Sequence, residues 1–240
     1  MSQANPKIVS QSATAASKET PETLYLQPVW DIAIRLFHWA LVVLMIVLIV
    51  TGKLGGNWLE WHQLAGYAVL ALIIFRIVWG FVGSYHARFI NFVHGPRTVV
   101  SYIKSIFRKT PVRYAGHNPL GAWSTLVLLA VTLVQAVTGL FSNDDVMLEG
   151  PFAAKVSKEI SDWLTGLHKW NANLLFILIG IHLLAILFYI VIKKEQLIKP
   201  MITGKKMLPA SLEISSMIKV WLAPLIFSAI AGVIYFLVKK

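Results

Sequence analysis

The chain contains no cysteine. This absence excludes disulfide bonds, zinc sites with thiolate ligands, cysteine-ligated iron–sulfur clusters and covalent haem attachment through a C-x-x-C-H motif. Any metal or cofactor must therefore be held by histidine or oxygen ligands.

Acidic residues are also scarce, with 11 Asp and Glu against 22 Lys and Arg in 240 residues. The long apolar runs contain almost none of them, whereas zinc and di-iron carboxylate sites need several ligands at one level. Only 14% of the residues are charged and 57% are hydrophobic, against about 25% charged in a typical soluble domain. The composition predicts an integral membrane protein.

The amino-terminal segment, 1–27, lacks the apolar stretch of a cleavable signal peptide. It is polar and rich in Ser, Thr and Ala, which predicts a disordered cytoplasmic tail. The first apolar helix is then expected to act as its own insertion signal.

Runs of about 20 apolar residues predict membrane-spanning helices. We predict an all-α, polytopic four-helix bundle over 28–206, with spans at about 30–50, 59–82, 120–141 and 166–192 and a linker at 84–117. A further apolar run at about 220–238 predicts an extra transmembrane helix within the C-terminal segment 207–240.

The net charge of +11 is typical of nucleic-acid-binding proteins, but its distribution follows the spans. The linker at 84–117 has six Lys or Arg and no acid, whereas the loop at 142–165 has five acids and two lysines. Basic loops face the cytoplasm. The charges therefore predict a cytoplasmic amino terminus and linker, and membrane lipid rather than nucleic acid as the partner.

Four of the seven histidines lie in apolar spans, where an imidazole is costly and is a functional hypothesis by default. His62 and His168 are predicted near the outer surface, and His38 and His182 near the inner surface. His168 and His182 are about 21 Å apart along one helix and on nearly the same face. Each level thus has two histidines from two different helices, and we interpret the four as metal ligands.

Any single intramembrane histidine has a simpler explanation, a hydrogen bond to a Ser, Thr or backbone carbonyl of a neighbouring helix. The matched depths favour ligation instead. Two imidazoles on opposite faces of one macrocycle suit a non-covalent haem in a bundle core. Because both axial positions are filled, such a centre transfers electrons and has no open position for oxygen.

Two arginines are expected near the inner pair. Arg35 lies one turn before His38, and Arg76 lies fourteen residues after His62, near the level of His182. Haem propionates are suitable carboxylate partners for these guanidinium groups. The alternative is that both side chains extend to lipid phosphates at the inner surface.

The linker contains three more histidines, His86, His94 and His117. We expect solvated loop residues, with a proton-handling or quinone-site role as the alternative. The segment 99–107 has apolar residues at helical spacing, which predicts a short helix at the membrane surface.

Four motifs carry a resemblance to a known family: VWDIAIRLFHW in the first span, WHQLAGY with FRIVWGFVGS in the second, RYAGHNPLG before the third, and GLHKWNANLLFILIGIHLLAI in the fourth. Together they resemble the bacterial cytochrome b561 and nickel-hydrogenase cytochrome b-subunit family. The resemblance implies a bundle in the bacterial inner membrane with two b-type haems, whose ligands match His38, His62, His168 and His182. It also implies electron transfer between a quinone pool and a partner such as a c-type cytochrome or a hydrogenase, as the cytochrome subunit of a respiratory oxidoreductase.

Two other functions stay open. One is a stand-alone quinone-linked oxidoreductase that acts on a small external species such as superoxide. The other is a non-redox transporter or assembly anchor in which the histidines relay protons, although the spans lack buried acids and paired broken helices. The tail and the fifth span exceed the four-helix version of the family, so the redox partner and any homodimer contact also stay open.

Overall fold

The computed structural model describes residues 23–106, 114–146, 148–209 and 220–239. In chain order the elements are β1 (Leu24–Pro28), α1 (Ile32–Leu54), α2 (Trp58–Val82), α3 (Phe89–Phe92), α4 (Pro96–Ile106), α5 (Pro119–Gly139), α6 (Lys158–Val191), α7 (Ile198–Thr203), β2 (Lys205–Pro209) and α8 (Leu222–Val238). The helices α1, α2, α5 and α6 are long and apolar enough to cross a membrane. These four confirm the predicted bundle of spans.

Three of the four long helices begin at a polar residue whose side chain caps the helix. The Asp31 carboxylate accepts a hydrogen bond from the Ile34 backbone N–H at the start of α1. Asn118 and Ser157 cap α5 and α6 in the same way. Each cap satisfies one of the backbone donors that the first turn of a helix leaves without a partner.

α2 is the central helix of the bundle. In its most apolar stretch 56% of the residues are buried, against 11–17% in α1, α5 and α6. It packs closely against α1, α5 and α8, and α6 packs against α5. Among the described residues, α1 and α6 are not a closely packed pair, so the bundle consists of two helix pairs joined through α2 and α5.

The boundaries of α6 differ from the predicted span at about 166–192. The helix begins at Lys158 because Ser157 caps it, and four of its first five residues are polar. These residues hold the preceding loop, since Ser161 and Asp162 both accept hydrogen bonds from the Asn143 side chain.

The extra C-terminal helix, α8, has 17 residues. That length corresponds to about 26 Å, close to the minimum for crossing a bilayer. Its buried Ala223 and Ile234 belong to the same apolar clusters as the core of α2. The helix is therefore part of the bundle, while its crossing of the membrane remains a prediction.

A short β ribbon differs from the predicted disordered tail at 1–27. The strand β1 pairs with β2 in antiparallel register, from Leu24 opposite Pro209 to Pro28 opposite Lys205. The backbone N–H groups of Val29 and Trp30 then donate to the carbonyl of Gly204. The prediction was wrong from Leu24 to Gln27 because these residues gain backbone partners about 180 positions away; residues 1–22 lie outside the described residues.

Candidate functional site

The structure brings His62 of α2 and His168 of α6 together. Their ring centroids are 6.2 Å apart and their ring planes make an angle of 78°. Both residues lie among partly buried side chains near one end of the bundle. The two helix pairs therefore face each other through these two imidazoles.

Each of these histidines is oriented by a backbone carbonyl of the adjacent helix in its own pair. The Nδ1 atom of His62 lies 3.0 Å from the Leu48 carbonyl oxygen in α1, and that of His168 lies 3.0 Å from the Gln135 carbonyl oxygen in α5. A carbonyl can only accept, so Nδ1 carries the proton in both rings and Nε2 carries the lone pair. This arrangement is the usual one for a metal-ligating histidine.

The Nε2 atom of His168 also has a partner. The side-chain amide nitrogen of Gln135 lies 3.0 Å from it. Asn171, which is 3% exposed, donates to the Gln135 amide oxygen at 2.7 Å and so sets the orientation of that side chain. Sequence reasoning missed both residues, since a polar side chain on a span does not reveal which neighbour it faces.

The inner-level histidines are arranged differently. His38 and His182 are both partly buried, but the ring contacts of the described residues join His38 only to Trp39. The Nδ1 atom of His38 is buried without a hydrogen-bond partner. Unlike the outer pair, the inner pair therefore shows no ring contact between its two described histidines.

Arg76 is 2% exposed and lies against two aromatic rings. Its guanidinium carbon is 4.9 Å from the centroid of Phe89 and 6.0 Å from that of Phe92. Its Nη1 atom is buried without a partner. A charged donor with this burial is suited to an anionic ligand.

Arg35 is anchored to the chain itself. Its Nη1 atom donates to the Ile202 carbonyl of α7 at 2.5 Å, whereas its Nε atom is buried without a partner. One side of the guanidinium group therefore still has a donor available.

His117 differs from the expected solvated loop residue. Its ring lies 4.8 Å from that of Trp30 and 4.6 Å from that of Phe92, measured between centroids. Burial, and then the nearby charges of Arg76, His86 and His182, lower the pKa of His117 to about 3. The residue is therefore neutral at physiological pH, and its Nδ1 atom is buried without a partner.

Comparison with known proteins identifies the family of the chain. The family model described as prokaryotic cytochrome b561 matches residues 29–204, which is most of the chain. The chain belongs to the prokaryotic cytochrome b561 family. It is accordingly a multi-pass bacterial membrane protein and a haem-binding b-type cytochrome of electron transport. The match confirms the resemblance seen in the four motifs.

Curated relatives of this cytochrome b561 family member have one description in common. A protein of Azotobacter chroococcum mcd 1 is 25% identical over 216 residues, which covers 75% of this chain and 88% of the relative. A protein of Bradyrhizobium diazoefficiens is 26% identical, with 85% and 95% covered. Both are described as probable Ni/Fe-hydrogenase B-type cytochrome subunits. No solved structure matches the chain significantly.

The outer pair of this cytochrome fits a shared metal ion. Two imidazoles that would share one metal ion, each with a metal–nitrogen bond of about 2.0–2.1 Å and a nitrogen roughly 1.1 Å from the ring centre, would have centroids up to roughly 6.2–6.4 Å apart. The separation of His62 and His168 is 6.2 Å. Within the described parts of the chain no three His, Asp or Glu side chains form a metal cluster. The donor set therefore suits a haem iron with two histidines, provided that Gln135 moves away from Nε2 of His168.

Proposed function

We propose that this cytochrome binds two b-type haems non-covalently, one through His62 and His168 and the other through His38 and His182. The observation that supports the proposal most directly is the contact between the two outer rings. When bound, a haem with two axial imidazoles supplies one-electron transfer without an open position for oxygen. The two ligands of α6 are about 21 Å apart along the helix, so one haem lies towards each membrane surface.

The residues around the outer pair hold the ligands in place. The carbonyls of Leu48 and Gln135 keep both Nδ1 atoms protonated, which leaves each Nε2 lone pair for iron. Asn171 also donates to the Val131 carbonyl at 3.0 Å, so it is tied to the backbone of α5.

The inner site is supported by a set of buried polar atoms without hydrogen-bond partners. Among the described residues, five buried polar side-chain atoms lack a partner: Arg35 Nε, His38 Nδ1, Arg76 Nη1, Arg88 Nε and His117 Nδ1. All belong to the start of α1, the last turns of α2 or the linker, which meet at one end of the bundle. Buried donors are rarely left unpaired. We assign Arg35 and Arg76 to the propionate groups of the inner haem.

The family and the charges support a proposal for the physiological partners. The relatives are described as hydrogenase cytochrome subunits, so we propose electron transfer between the quinone pool and a hydrogenase or a c-type cytochrome. The basic linker and acidic loop support a bacterial inner-membrane protein with a cytoplasmic amino terminus. The outer haem then faces the periplasm, where such partners dock.

A haem count on the purified protein tests the ligand assignment. We expect two haems per chain by the pyridine haemochrome assay and a b-type reduced-minus-oxidised spectrum. His168→Ala is expected to lose the outer haem, and His38→Ala the inner haem, because each change removes one axial ligand. His94→Ala is the control, since His94 contacts the Phe92 carbonyl outside the spans. Zero haem in the wild-type protein would refute the proposal.

The quinone link needs its own measurement. A reduced short-chain quinone is expected to reduce the haem bands of the purified protein within the mixing time. If only dithionite reduces them, the link to the quinone pool is wrong even when the haem count is two.

A further inference from the structure

The tripeptide Val-Thr-Gly occurs twice, at 50–52 and 137–139. The first copy lies in the last turn of α1 and the second ends α5. Each copy is followed along the chain by the helix that carries an outer histidine, α2 with His62 and α6 with His168. The two units therefore hold equivalent positions relative to the outer pair.

The threonine of each unit contacts Nδ1 of the histidine. Thr51 Oγ1 lies 3.3 Å from His62 Nδ1, and Thr138 Oγ1 lies 3.2 Å from His168 Nδ1. Each hydroxyl also donates its hydrogen to the carbonyl four residues earlier, at 2.7 Å and 2.8 Å. With that hydrogen committed, the threonine oxygen can only accept from the ring.

The backbone carbonyl that bonds the same Nδ1 atom repeats as well. In both copies it belongs to the residue three positions before the threonine, Leu48 in one and Gln135 in the other. Each ring N–H thus faces a carbonyl and a hydroxyl oxygen of the same helical turn.

The glycine of each unit lies directly against the ring. A Cβ atom on Gly52 would be 3.0 Å from His62 Cε1, and one on Gly139 would be 3.0 Å from His168 Cε1. Such contacts are tighter than ordinary van der Waals separation. Glycine therefore allows each imidazole to approach the helix closely enough to reach the threonine and the carbonyl.

We propose that the two Val-Thr-Gly units are a duplicated positioning device for the outer haem. Each unit fixes its histidine as the tautomer protonated at Nδ1, so that the lone pair is on Nε2, and together they set the large angle between the ring planes. The proposal rests on ligation of the outer haem by His62 and His168. Thr51, Gly52, Thr138 and Gly139 are positioning residues, because they act on the iron only through the histidines.

A second acceptor on each Nδ1–H makes the imidazole a stronger electron donor. A stronger donor stabilises ferric iron relative to ferrous iron, so the units lower the midpoint potential of the outer haem. Loss of a hydrogen-bond partner of a metal-ligating histidine typically lowers metal affinity by about 10-fold to 100-fold. We take the low end of this range, so removing one acceptor is expected to weaken the preference for ferric iron by about tenfold. For a one-electron couple that change is an upward shift of 59 mV.

Threonine variants test this effect by redox potentiometry of the full-length protein. Thr51→Val and Thr138→Val are expected to raise the outer potential, and Thr51→Ser and Thr138→Ser to keep the wild-type value because the acceptor oxygen remains. Thr125→Val is the control, since Thr125 donates to the Gly121 carbonyl in the same way but lies about 20 Å along α5 from Thr138. Unchanged potentials in the valine variants, or serine variants that behave like valine, would overturn the proposal.

Glycine variants test the close approach. Gly52→Ala and Gly139→Ala are expected to lose most of the outer haem or to alter its ferric EPR signal, because the new methyl group displaces the ring. Gly66→Ala and Gly180→Ala are matched helical controls, since a Cβ atom at either position meets nothing within 4 Å. Equal haem content and equal spectra in all four variants would argue against the positioning role.

One measurement needs no substitution near the outer pair. In the His38→Ala protein, which keeps only the outer haem, nearly perpendicular ligand planes are expected to give a low-spin ferric EPR signal with a large maximal g value. A rhombic signal typical of parallel planes would overturn the positioning proposal and leave the ligation intact. Absence of haem from the wild-type protein would instead refute the proposed function.

Discussion

Replacement of Asp31 by alanine is expected to destabilise the cytochrome strongly. The Asp31 side chain is buried, with 1% of the residue exposed. Its carboxylate accepts hydrogen bonds from the Ile34 backbone N–H at 2.8 Å, from Trp79 Nε1 at 3.1 Å and, in a short bond, from the Ser84 hydroxyl. It thereby joins the start of α1, which carries Arg35 and His38, to the end of α2 and the linker.

The magnitude follows from these contacts. Loss of the helix cap costs about 1 kcal/mol. Trp79 and Ser84 are 0% and 1% exposed, so each donor left without a partner costs about 1–3 kcal/mol more. The Asp31→Ala change should therefore lower the free energy of unfolding by roughly 3–7 kcal/mol. Asp31→Asn should have a smaller effect, because its single amide oxygen keeps either the cap or the side-chain contacts.

Equilibrium unfolding in mixed detergent micelles, followed by helical circular dichroism, measures these differences. Asp162→Ala is the matched control, because the side chain of Asp162 is 48% exposed in its ion pair with Lys158 and such pairs contribute about 1 kcal/mol or less. Ordinary surface substitutions change the free energy of unfolding by about 0.5 kcal/mol or less. If the free energy of unfolding of Asp31→Ala lies within that range of the wild-type value, the assigned network does not stabilise the bundle.

Two further predictions concern the same end of the bundle. A Cβ atom on Gly80 would overlap the Phe89 ring, so Gly80→Ala should cost about 1–3 kcal/mol of stability in the same assay; an effect no larger than that of Gly66→Ala would contradict this. Because the folded-state pKa of His117 is lowered from 6.5 to about 3, the unfolded chain binds the extra proton between these values. The free energy of unfolding should thus fall as the pH decreases from about 6.5 towards 3, by up to about 1.4 kcal/mol per pH unit. The His117→Leu variant should show a weaker pH dependence, and an equal slope in the variant would refute the assignment to His117.

Much of the fold was accessible from local sequence features. The predicted second span at about 59–82 and the helix Trp58–Val82 nearly coincide, because an apolar run and a closing Gly83 mark its ends. The linker helix expected at 99–107 is observed as Pro96–Ile106. The β ribbon was missed because the residues of β1 carry no strand signal of their own and are paired only through β2.

The candidate site was accessible only in part. Depth along the spans placed His62 and His168 at one level, and the structure brings their rings together. The same reasoning placed His38 with His182, whose rings are not in contact, so that pairing remains a proposal. The contacts of Gln135, Asn171 and His117 were not predictable, since they depend on which faces of the helices meet.

The sequence by itself determined the class of protein and the number of long spans, and it predicted a depth for each histidine of the spans. These properties depend on the length of an apolar run relative to the bilayer thickness, which is local along the chain. Only the tertiary structure decided that α2 is central, that α1 and α6 are not closely packed, and that the two Val-Thr-Gly units lie against the outer histidines. Those features arise from packing between helices far apart in sequence, and spans of similar apolar composition do not specify their neighbours.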